Sequence, residues 1–81
     1  MSGLRVRYVG RSFGVDGLTN GEIYDVLRID ELTGALVVVD DSGEDYLYSP
    51  TSPKPLTARE PYGRFEIIED DDNGTLAKAL Q

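Results

Sequence analysis

The chain has no cysteine and no histidine. The first absence excludes a disulfide framework, a thiolate zinc site and a cysteine nucleophile. The second removes the usual general base at neutral pH, the commonest metal ligand and every serine–histidine catalytic arrangement. Carboxylate chemistry and oxygen-ligated metals remain. No GxGxxG or Walker spacing occurs, so phosphate-cradling loops are absent as motifs. Long apolar runs are missing as well. Nothing approaches the roughly 20 residues of a membrane helix, and the opening MSGLRVRYVG lacks the apolar core of a secretory signal. The expectation is a water-soluble, cytoplasmic protein with no membrane contact.

Positive charge is scarce. Eight Lys and Arg face 15 Asp and Glu, for a net charge of −7. A chain of this sign repels a phosphate backbone, which disfavours nucleic acid as a partner. Arg5, Arg7 and Arg11 form the one early basic group. They read as outward-facing strand charges, or alternatively as a patch for an acidic partner or for weak nucleic-acid association. The 81 residues make one domain. Such a chain buries about 60–65% of its unfolded surface and is stable by about 4–12 kcal/mol. A surface groove suits it better than a deep cavity.

The strongest structural signal is LVVVDDSGEDYLYSP, residues 36–50. It reads as an apolar strand, a tight acidic turn and a tyrosine-bearing strand. Gly43 fits the left-handed position that closes such a hairpin. Residues 4–9 alternate Leu4, Val6 and Tyr8 against Arg5, Arg7 and Val9, the period of a half-buried strand. Residues 10–21 follow as a loop with four glycines, in which Phe13, Val15 and Leu18 are expected to pin the loop to the core. Residues 22–30 form a second strand with apolar residues on both faces; its β-branched and aromatic content and flanking turns reject a helix. A turn with Gly34 at positive φ leads to a third strand, 35–40, whose run of four apolar residues suggests cover on both sides. Residues 45–48 and 64–69 are the fourth and fifth strands, separated by a segment holding all four prolines.

These elements predict an all-β fold, a small five-stranded antiparallel SH3-like barrel over residues 1–70. An acidic C-terminal tail, 71–81, is expected to be mobile, fraying or forming a single turn. Asp72 or Asn73 could cap that turn, but a helix so short is marginal alone.

The combination VRYVGRSFGVDGLTNGEIYDVLRID, VVVDDSGEDYLYSP and RFEIIED resembles a family of small, functionally uncharacterised SH3-like proteins of Gram-positive bacteria and their phages. The likeness spans residues 4–70. It is most specific at Gly17-Leu18-Thr19-Asn20-Gly21 with Tyr24, and at residues 40–48. The proline-rich insert, 51–62, and the tail after Asp72 depart from it. The resemblance implies an SH3-like fold and a bacterial, intracellular origin. It implies no activity and no catalytic residues.

Three surfaces are candidates for work. The first is an aromatic groove for extended peptides built from Phe13, Tyr46, Tyr48 and Tyr62, with Tyr8 and Tyr24 nearby. Tyrosine joins a large apolar face to a polar tip, as a half-exposed groove requires. The plain alternative is that these rings fill and cover a small core. The second is a calcium-like run in which Glu69, Asp71 and Asn73 take the first, third and fifth positions. Its twelfth position is Leu80 where a bidentate glutamate is needed. The cluster Asp40, Asp41, Glu44 and Asp45 reads as a solvated turn, so no metal site and no cofactor is assigned. The third is Pro50-Thr51-Ser52-Pro53 as a PxxP ligand. A stiff connector is the simpler reading, and deleting 51–61 is then expected to leave folding nearly intact. No catalytic residue is assigned and the chain is not expected to be an enzyme. The favoured function is a binding or accessory module, monomeric, with a protein partner. The alternative is a phage or mobile-element assembly protein that self-associates through strand edges.

Overall fold

Alternating side chains give this chain its strands, and two register shifts decide which faces are buried. In the computed structural model, which describes residues 3–13, 17–51, 53–54, 59–60 and 62–80, the five strands are β1 (Arg5–Gly10), β2 (Ile23–Ile29), β3 (Leu36–Val39), β4 (Asp45–Tyr48) and β5 (Gly63–Glu69), followed by the helix α1 (Thr75–Ala79). They form one antiparallel sheet in the order β4-β3-β2-β1-β5. The five sequence-predicted strands are all present. Among the described residues the sheet is open, with β4 at one end of the order and β5 at the other.

Val6 and Tyr8 from β1 meet Tyr24 and Val26 from β2, Leu36 and Val38 from β3, and Phe65 from β5 in a single buried cluster. The mixed face of β2 has a physical cause. Its register with β3 shifts between Val26 and Arg28. A bulge of this kind inserts one residue and changes which parity points inward. Tyr24 and Val26 are therefore buried before the shift, Ile23 and Leu27 are exposed, and Ile29 packs on the core after it. β3 lies between β2 and β4. Val37 is buried although it alternates with Leu36 and Val38, so β3 is covered on both faces, as its apolar run predicted.

Two glycine features fix the geometry. Gly43 closes the β3–β4 turn at a φ of 82°, a conformation that costs a residue with a Cβ. Gly10 and Gly63 face each other across β1 and β5. A Cβ on Gly63 would lie 2.2 Å from the Val9 carbonyl oxygen, and one on Gly10 would lie 2.4 Å from Gly63 Cα. The strands approach so closely here that neither position has room for a side chain.

The tail docks. Leu76 is 0% exposed and belongs to the core cluster, with Ala79 and Leu80 packed against it. Of the two forms expected of the tail the structure has the single turn, and burial of Leu76 supplies what five helical residues lack on their own. The capping residues differ from those predicted. Asp70 accepts the N–H groups of Leu76 (2.9 Å) and Ala77 (3.1 Å), and Asp71 accepts the N–H of Thr75 (3.0 Å) and its hydroxyl. Asp72 and Asn73 are exposed. The Leu76 N–H holds the Asp70 carboxyl below its ordinary value, and the Thr75 hydroxyl does the same for Asp71.

Candidate functional site

The long loop after β1 is tied down from both sides. Leu18 is fully buried, as its apolar character predicted, and its carbonyl accepts the Phe13 N–H at 2.7 Å. Val15, the third predicted pin, lies outside the described residues. Gly17 passes under Phe13 so closely that an added Cβ would sit 2.4 Å from Phe13 Cβ. The Phe13 ring is thereby placed among three others. It meets Tyr8 edge-on at 5.4 Å and Tyr62 at 5.4 Å, and is tilted against Tyr48 at 5.8 Å. Edge-to-face pairs of this spacing exploit the ring quadrupole.

Three of the four predicted binding residues, Phe13, Tyr48 and Tyr62, thus form one cluster. Tyr46 lies on the same strand as Tyr48, nearer the turn. In the β3–β4 register Tyr46 pairs with Val38 and Tyr48 with Leu36, so both lie on the core side of the sheet, while Leu47 pairs with Val37 on the opposite side. Tyr48 is half-buried, and Tyr46, nearer the turn, is 50% exposed. An open groove runs along this edge, lined by Phe13, Gly17, Tyr46, Leu47, Tyr48 and Lys54, and by the turn residues Asp40, Ser42, Glu44 and Asp45. Tyr8 and Tyr24 belong to the core instead.

The acidic turn is not simply solvated. Asp40 is 5% exposed. Its carboxylate accepts the Ser42 N–H at 3.0 Å, the Ser42 hydroxyl, and the Tyr48 hydroxyl at 2.6 Å. Burial, then the bond to Asp40, pushes the Tyr48 hydroxyl well above the usual phenol range. The neighbouring Asp41 faces the other way. Its carboxylate accepts the Thr19 hydroxyl at 2.7 Å and the Tyr24 hydroxyl at 2.9 Å, and its N–H donates to the Gly17 carbonyl at 2.9 Å. Two adjacent aspartates therefore join the hairpin to its own strand and to the loop across from it. Sequence reading missed both roles. The Asp-x-Ser spacing of residues 40–42 was a signal for the first, since aspartate bonds a backbone group two residues on in an Asx turn.

The remaining candidates disperse. Arg5 lies between Asp25 (3.2 Å) and Glu69 (3.9 Å) on an exposed face, and the Arg11 guanidinium stacks 4.3 Å over the Tyr62 ring. Asp71 of the calcium-like run is turned onto α1. Among the described residues no group of three or more Asp or Glu is arranged to hold a metal ion. In the PxxP stretch Pro53 is fully buried and its carbonyl accepts the Tyr62 N–H at 3.2 Å, while Ser52 lies outside the described residues. No helix among the described residues is long and apolar enough to cross a membrane. Comparison with family models, curated proteins and solved structures returned no match to this chain.

Proposed function

We propose that this chain is a non-enzymatic binding module that holds an extended segment of a partner protein in the groove between the Phe13 loop and the β3–β4 hairpin. The observation that carries the reading is the placement of Phe13, Tyr46 and Tyr48 along one open groove, with its banks tied together by Asp41. Rings that are half-exposed and held in place lose little freedom when a partner covers them, and this favours recognition. The carboxylates support a non-enzymatic role. Asp40, Asp41, Asp70 and Asp71 are occupied in holding hydroxyl and backbone donors. The strand order and the long first loop suit an SH3-like arrangement. The resemblance noted above adds to this reading a bacterial or phage origin and a cytoplasmic setting. Titration of the labelled protein with a library of extended peptides should move the amide signals of Tyr46 and Tyr48. A library that leaves both unmoved removes the reading.

A further inference from the structure

The chemistry of the groove narrows its occupant, an inference that rests on the binding role just proposed. The apolar floor offered by Phe13, Tyr46 and Tyr48 is bordered by three acids, Asp40, Glu44 and Asp45, and among the described lining residues the cation is Lys54. Asp40 is buried and accepts the Tyr48 hydroxyl, so its carboxylate lies at the polar end of that ring. Glu44 accepts the Tyr46 hydroxyl at 2.9 Å, which sets a carboxylate at the edge of a ring that is 50% exposed. A cation over such a ring is attracted by the ring quadrupole and by the acids beside it. The same pairing already exists within the chain, where the Arg11 guanidinium lies over Tyr62. The whole molecule carries a net charge of −7, which steers cations toward the site and repels phosphate.

We infer that the groove takes a peptide segment bearing arginine or lysine, with the cationic head beside Glu44 and Asp45 and its aliphatic stem on Tyr46. The test uses the full chain and two labelled peptide pools of proline and leucine around one central position, arginine in one pool and its neutral isostere citrulline in the other. The arginine pool should bind more tightly at low salt, by up to about fivefold, since one partly exposed ion pair is worth up to about that factor. Its advantage should vanish near 1 M salt. The double variant E44Q/D45N should reduce arginine binding to the citrulline level, while E31Q, on the distant β2–β3 turn, should leave it unchanged. Equal binding of the two pools to the wild-type chain overturns the cationic inference and leaves the protein-binding reading standing. Failure of both pools to move the Tyr46 and Tyr48 signals overturns both.

Discussion

At the scale of single residues the most consequential bond is the one between Tyr48 and Asp40. A buried carboxylate needs its donors, and removing one exposes the full cost of burying the acceptor. Tyr48→Phe should therefore lower stability by about 1–3 kcal/mol, read by chemical denaturation. The pH dependence has a definite sign. Burial first of all raises the hydroxyl pKa values of Tyr8, Tyr24 and Tyr48 above 10.0. The folded state thus favours the neutral phenols. Their contribution is fully present below pH 10.0 and is lost as pH rises through each folded value. Unfolding at alkaline pH should be less steep in Tyr48→Phe than in the wild type; identical slopes would contradict this account. The tyrosines were legible in the sequence as a set, and their division was not. Composition cannot distinguish a core ring such as Tyr24 from a half-exposed one such as Tyr46. That difference is set by strand register and by partners 17 residues away, as in the Tyr24–Asp41 bond.

Among the elements, the hairpins were the most readable and the tail the least. The turn at Gly43 depends on four residues in sequence, so local chemistry specifies it. The β2 faces were ambiguous because the bulge between Val26 and Arg28 reverses parity, and no local pattern encodes where a bulge falls. The tail was hard to read for a related reason. Its helix is set by distant burial of Leu76 and by carboxylates preceding it, Asp70 and Asp71, rather than by helix propensity. Leu76→Ala should cost about 2–5 kcal/mol. The same substitution in a frayed tail would cost almost nothing, so a small change in the denaturation midpoint would restore the earlier view of this segment.

For the molecule as a whole, the all-β class, strand number and strand order of the hairpins followed from the sequence, whereas sheet ends and groove required three dimensions. The open order places β4 beside the groove and leaves Leu47 55% exposed. The proline-rich connector also gains a structural role. Loop length alone costs little entropy, but Pro53 is fully buried and bonded to Tyr62, which in turn packs on Phe13. Deleting residues 51–61 should then destabilise the fold by about 2 kcal/mol and disturb the groove signals at Tyr48. A deletion variant as stable as the parent would return the segment to the status of a passive linker.

The bonds of Asp41 carry a consequence for the order of events in folding. They join groups 22 and 17 residues apart, Thr19 and Tyr24 on one side and the hairpin turn on the other. Two loops must close before either bond can form, so they contribute little to the transition state. Asp41→Ala should accelerate unfolding by about tenfold while changing the refolding rate by less than about twofold, as stopped-flow kinetics would measure. The carboxylate works as a late clasp, governing how long the two banks of the groove stay together once the chain has folded.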